Sequence, residues 1–371
     1  MATGAAAAAA TAATGTGGAS ADDGRYTALA LQTVCDAVNK DKTREAARTR
    51  MDAAISRIAA QIASGIGFLK TFNGAPVRLV VLPEYFLTGF PLGETMAEWL
   101  DKAALEIDGP EYERLGEIAQ RHKLFLAGNV YEADPNFPEV FFQTCFVISD
   151  AGDVILRYRR LVSLYSPTPY DVWDKYLEIY GLDGVFPVAK TEIGTLAPVA
   201  SEEILYPELA RCFAMRGAEI FAHSTSEVGS PALTQKDIAK RARAIENMAY
   251  VVSANSAEII GYPIPAASTD AMSKVVNYDG KVMAEAGSGE TVNANAIIDL
   301  PALRAYRRRS GMSHFLSRQP FAAYAESYAG HAHDEPNGFM REGGVKPLER
   351  NEIIARQQGI IDRLVAEGVI R

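Results

Sequence analysis

Along the chain, short runs of consecutive apolar residues alternate with longer stretches in which apolar residues recur every three or four positions. These are the rhythms of buried strands and of amphipathic helices. Tyr26 to Val38 predicts a first strand and its exit, and Thr43 to Phe68 a long helix carrying Met51, Ala54, Ile55, Ile58 and Ile62 on one stripe. Pro76 to Leu82 (PVRLVVL) has no polar face to speak of, as expected of a parallel strand covered on both sides, and it ends at Pro83-Glu84-Tyr85-Phe86. Glu111 to His122 predicts a helix and Leu124 to Val130 a strand. Val140 to Ile148 predicts a further strand, turning through the DAGD of 150–153 into Val154 to Tyr158 as a hairpin. The aromatic and proline-rich stretch from Leu161 to Thr191 is too long for a simple connector and reads as a functional loop or lid.

The most organised stretch follows. Gly194 to Ala200 is a strand, Ser201-Glu202-Glu203 a tight turn, Leu205 to Gly217 a helix with Pro207 in its first turn, and Ile220 to Ala222 a second strand. A helix from Gln235 to Ala249, a strand from Tyr250 to Asn255, a hairpin (Ser273 to Tyr278, then Lys281 to Ala286) turning at Asp279-Gly280, and a helix from Leu300 to Arg309 complete the body. No internal repeat is visible in the βα alternation. Residues 25–318 therefore read as one α/β domain, and 319–371 as an extension that packs on that body or on a second subunit.

Composition narrows the class without changing this outline. With 48% hydrophobic and 22% charged residues over 371 positions, the chain can bury a large core. A net charge of -9 opposes a nucleic-acid groove, which needs clustered cations, and no run of roughly 18 apolar residues predicts a membrane span. The Ala- and Gly-rich residues 1–24 read as a disordered tail without signal-peptide character. Cys35, Cys145 and Cys212 are too scattered for a disulfide framework or metal site, and a reducing cytoplasm is the simplest home. Cys145 in mid-strand and Cys212 about three helical turns past Ser201 read as small core residues. The five histidines show no metal spacing beyond His331 and His333 in the extension, so neither metal nor cofactor is implied; His223, near the turn, reads as a core or rim residue.

Chemistry is to be sought at strand ends, where α/β folds place it. Ser201 alone would be read as a helix cap; between a strand and a helix it stands where a side chain is presented to a pocket. Glu84 ends a buried strand, and strand alternation puts Tyr158 and Arg160 on one face and Arg157 and Arg159 on the other.

Several motifs together resemble the nitrilase superfamily of carbon-nitrogen hydrolases, especially its amidase branch. They are Val80 to Glu84 with Gly89-Phe90; Tyr206-Pro207-Glu208, Arg211, Ala214 and Gly217-Ala218-Glu219; Arg241 to Asn247 with Val251 to Asn255; and Asp279-Gly280 with Ile297 to Leu300. The resemblance spans about Tyr26 to Arg318. It implies a four-layer α-β-β-α sandwich, assembled as a homodimer or larger homo-oligomer, acting on a small-molecule substrate. Such proteins use a glutamate base, a lysine and a cysteine nucleophile against amides, nitriles or carbamoyl groups. Carried onto this chain, the glutamate is Glu84, the lysine position holds Arg160 and the cysteine position holds Ser201, with Asp171 and Glu132 nearest to a second glutamate. Glu203, Tyr85 and Trp173 are the expected substrate contacts. Two readings stay open: a hydrolase with Glu84, Arg160 and Ser201 as catalytic groups, and an inactive relative that binds a ligand or assembles.

Overall fold

The computed structural model describes residues 24–228, 234–268, 271–342 and 344–371. The predicted tail therefore lies, but for its last residue, outside the described residues. The main strands of the first half are β1 (Arg25–Ala30), β2 (Val77–Val81), β3 (Phe125–Ala133), β4 (Phe141–Ile148) and β5 (Val154–Arg159). Those of the second are β6 (Ala189–Thr191), β7 (Gly194–Ala200), β8 (Ile220–Thr225), β9 (Tyr250–Asn255), β10 (Lys274–Val276) and β11 (Val282–Glu285); β12 (Asn295–Asp299) returns to β1. The helices are α1 (Arg44–Asn73), α2 (Met96–Ala103), α3 (Pro110–His122), α4 (Trp173–Val185), α5 (Pro207–Met215), α6 (Gln235–Asn247), α7 (Leu300–Arg307), α8 (Phe321–Ala329) and α9 (Arg350–Ala366).

These strands form two sheets, in the orders β12-β1-β2-β3-β4-β5 and β6-β7-β8-β9-β10-β11. Both follow the same pattern of neighbours: one antiparallel pair, two parallel pairs, then two antiparallel pairs. The repeat that the βα alternation concealed is thus present in the topology.

Strand alternation builds the layers. On β2 and its exit, Leu79 and Val81 enter a cluster shared with Leu196, Val199, Phe221 and Val251 of the other sheet, whereas Val80 and Leu82 join Met51, Ile55, Ile58 and Ile62 of α1. Leu209 and Phe213 of α5 and Ala244 of α6 close the far side. The result is the expected α-β-β-α sandwich.

Local differences from the expected elements have local causes. Helix α1 starts where Thr43 caps it and runs past Phe68 until Gly74 adopts φ 67°, because Leu69 still finds core. Helix α2 was not foreseen, although Thr95 and Glu98 form a capping box in front of it. The supposed loop from Leu161 to Thr191 contains α4 and β6, its aromatic residues packing with Phe137 and Phe142. The extension packs on the body. Phe339 and Val345 enter the same cluster as Tyr176, Arg356 of α9 pairs with Asp171 at 2.9 Å, and Tyr328 of α8 donates to Glu208 at 2.6 Å.

Candidate active site

Three strand ends meet between the sheets. Glu84 follows β2, Arg160 follows β5 and Ser201 follows β7, and all three side chains are largely buried. Glu84 Oε1 accepts from Gln143 Nε2 at 2.7 Å and from Arg160 Nη1 at 3.3 Å, and the nearby Ser201 hydroxyl favours the charged form of this carboxylate. Burial raises the Glu84 pKa above the ordinary carboxylate value, against the pull of Arg160, Lys236, Ser201 and Gln143. A carboxylate so placed is the more basic for it.

The backbone is strained at this site: Ser201 has φ 46° and Tyr85, beside Glu84, has φ 37°. The surroundings hold both. Asn129 Oδ1 accepts the Tyr85 N–H at 3.3 Å, and Thr225 O accepts the Glu84 N–H at 3.3 Å. His223 lies 2.8 Å from the Ser201 carbonyl through Nε2 and 2.9 Å from Ser253 Oγ through Nδ1. A carbonyl only accepts, so Nε2 carries the proton and Nδ1 accepts from Ser253. Burial, reinforced by Lys240, lowers the His223 pKa to about 3, so the ring is neutral and acts as a brace for the turn.

Arg160 is heavily committed. Nε donates to Val162 O at 2.7 Å, Nη1 to Gln143 Oε1 at 2.7 Å as well as to Glu84, and Nη2 to Glu202. About four of the five guanidinium hydrogens are used by the protein. Its main service is to hold Glu84 and Glu202 in place.

The expected substrate contacts fare differently. Glu203 is fully buried and accepts from Tyr158 OH at 2.7 Å, Leu161 N at 2.8 Å, Val162 N at 2.9 Å and Ala200 N at 3.3 Å. Its carboxylate therefore fastens the Ser201 turn to the end of β5 and has no face left for a ligand. Burial above all brings its pKa to about 7. The Tyr85 ring packs against Phe90 and Tyr131 in the helix-side core. Trp173 stands against Tyr170 at 5.5 Å in the cluster under the extension. Neither of the proposed second acids joins the site: Glu132 is taken by Tyr112 and Arg157, and Asp171 by Thr168 and Arg356.

Cys145 lies in mid-strand on β4, fully buried; its sulfur accepts from Asn129 Nδ2 at 3.3 Å, and burial pushes its pKa up. Such a thiol is protonated and enclosed. No group of three or more metal-ligating side chains occurs among the described residues, and none of their helices is long and apolar enough to cross a membrane.

Three participants escaped the sequence reading. Gln143 and Asn129 had a legible signal, polar residues interrupting the apolar runs VFFQTCFVI and LFLAGNV. The third is Lys236 in the first turn of α6, whose Nζ reaches Ser201 Oγ at 3.2 Å and Thr225 Oγ1 at 3.3 Å.

The chain is an α/β sandwich of two mixed sheets, with an acid, a cation and a hydroxyl at converging strand ends. The carbon-nitrogen hydrolase family model matches residues 40–308, most of the chain, and the protein belongs to that family. Among its relatives, a formamidase of Pseudomonas syringae pv. tomato is 26% identical over 268 residues, covering 71% of this chain and 72% of the relative. An omega-amidase of Xenopus tropicalis is also 26% identical, over 62% of this chain and 80% of its own. The fold matches a Saccharomyces cerevisiae member of branch 10 of the nitrilase superfamily with a TM-score of 0.60 at 20% identity, covering 78% of this chain and 95% of that one. A carbon-nitrogen hydrolase from Helicobacter pylori superposes with a TM-score of 0.59 at 20% identity, over 83% and 99% of the two chains.

Proposed function

We propose that this chain hydrolyses the carbon-nitrogen bond of a small amide, nitrile or carbamoyl compound through an acyl-enzyme on Ser201, with Glu84 as general base. The observation that carries the reading is the Ser201 hydroxyl, presented by a strained turn and placed beside a buried carboxylate of raised pKa. An alcohol is many units less acidic than a thiol, so serine demands such a base close to neutrality. Glu84 takes the hydroxyl proton as Oγ attacks the carbonyl carbon, and the alcohol becomes an ester. Arg160 keeps the acid aligned and sets positive charge beside it. The formamidase and omega-amidase relatives support small amides as the substrate class.

Intact-mass analysis under turnover with a panel of small amides tests the reading. Acyl mass on Ser201, abolished in Ser201→Ala and retained in Cys145→Ala, is expected. Acyl mass on Cys145, or turnover in Ser201→Ala equal to wild type, overturns it, as does a panel on which wild type and Ser201→Cys are both silent.

A further inference from the structure

Arg160, the cation paired with Glu84, does not give up its proton. Breaking an amide requires a proton for the departing nitrogen, since an amide anion is far too basic to leave. Glu84 holds the proton it has taken from Ser201 and can supply it; an ammonium beside the bond being broken is a second, independent donor.

Lys236 stands there. Its ammonium donates to Ser201 Oγ at 3.2 Å and to Thr225 Oγ1 at 3.3 Å, both neutral hydroxyls, and it comes from α6, across the site from Glu84 and Arg160. The side chain is half-buried. Its charge is felt at Glu84, His223 and Glu227. One turn further on, Lys240 carries the ion pair with Glu227 at 3.0 Å, so the two lysines of this helix face have separate tasks.

Resting on the serine acyl-enzyme reading, we infer that Lys236 is the catalytic acid that protonates the leaving nitrogen. In the first half-reaction the Ser201 proton passes to Glu84, the Oγ–C bond forms, an ammonium proton of Lys236 passes to the substrate nitrogen, and the C–N bond breaks. The amine departs, leaving the ester, a protonated Glu84 and a neutral Lys236. In the second, Glu84 has given up its proton to solvent and Lys236 has regained one; water attacks the ester carbon, and its proton passes to Glu84 and from there to Oγ as the C–O bond breaks. The carboxylic acid leaves, and both groups are restored.

The test compares leaving groups that do and do not need a proton. Acetamide, propionamide and butyramide are set beside the p-nitrophenyl esters of the same acids, whose phenolate departs unaided, with wild type, Lys236→Met, Lys236→Arg and Ser201→Ala. Lys236→Met and Lys236→Arg are each expected to lose about 10²-fold or more in kcat on the amides, in the range of general acid-base catalysis, while ester turnover stays within a few-fold of wild type. Equal losses on amide and ester in Lys236→Met, or amide activity kept in either variant, overturn the assignment of the proton while Ser201 dependence keeps the acyl-enzyme. If Ser201→Ala matches wild type on both substrates, the acyl-enzyme reading fails and this inference fails with it.

Discussion

The two sheets share one pattern of pairing, and at the end of the corresponding strand each carries a buried glutamate: Glu84 after β2 and Glu227 after β8. The two turns touch, since Glu84 N–H donates to Thr225 O and Ser224 Oγ donates to Leu82 O at 2.7 Å. Their electrostatics are opposite. At Glu84 burial prevails and the pKa rises. At Glu227 burial also opposes the charge, but Lys240, Thr234 and Lys236 outweigh it and bring the pKa to about 2. The difference lies in how the partners are shared: Arg160 divides its donors among Glu84, Gln143 and Glu202, whereas Lys240 closes on Glu227 from within the core. On the proposed mechanism one acid changes its protonation state in use; the other is a fixed anion that fastens α6 to β8. Topological position alone assigns neither role.

The comparison breaks most visibly by removing one charge at a time. Glu84→Gln is expected to lower amide kcat by about 10³-fold, as for a general base, while the melting temperature stays level or rises because a buried charge is relieved. Glu227→Gln is expected to do the reverse, costing about 3–5 kcal/mol in denaturant unfolding by stranding Lys240. Adding Lys240→Met to it is expected to restore most of that loss. If both single variants lose activity without losing stability, the two glutamates share one role and the contrast is void.

Titration sharpens it. The Glu84 pKa lies above the ordinary value, and a base must be deprotonated, so kcat/KM is expected to rise with pH along a limb placed above the ordinary carboxylate range. Glu227 is depressed, so its contribution to stability is complete above the unfolded value of about 4.3 and disappears as pH falls toward about 2. An acid limb at or below the ordinary range rules out the basic Glu84. The smallest effects are expected at the supports. His223→Gln loses the bond to the Ser201 carbonyl and is expected to lose about 1–2 kcal/mol of stability. Trp173→Ala, in the cluster under the extension, is expected to leave kcat on amides within a few-fold of wild type.

Glu203 shows where linear reading stops. The stretch VASEEILYPE marks a turn holding acids beside Ser201, yet the destination of the Glu203 carboxylate depends on Tyr158, Leu161 and Val162, about forty residues earlier. Lys236 of α6 is the converse: it drew no notice in the sequence, and its place beside Ser201 joins positions 35 residues apart. Lys240, Arg243 and Asn247 of that helix are buried, so polar residues at spacings of three and four where apolar ones were due were the available signal. Glu84 was singled out because it ends a buried apolar run and sits in one of the motifs that carry the resemblance.

By itself the sequence determined most of the strands and helices, and the resemblance carried by its motifs implied their layering and the three turns that carry Glu84, Arg160 and Ser201. Hydrophobic periodicity is a local property, and burying such a pattern leaves few architectures open. Only the tertiary structure decided which acid is basic, which is locked, and which cation stands beside the serine. Those outcomes depend on burial and on distances of a few ångströms between residues far apart in the chain, and electrostatic energy at that range changes steeply with both.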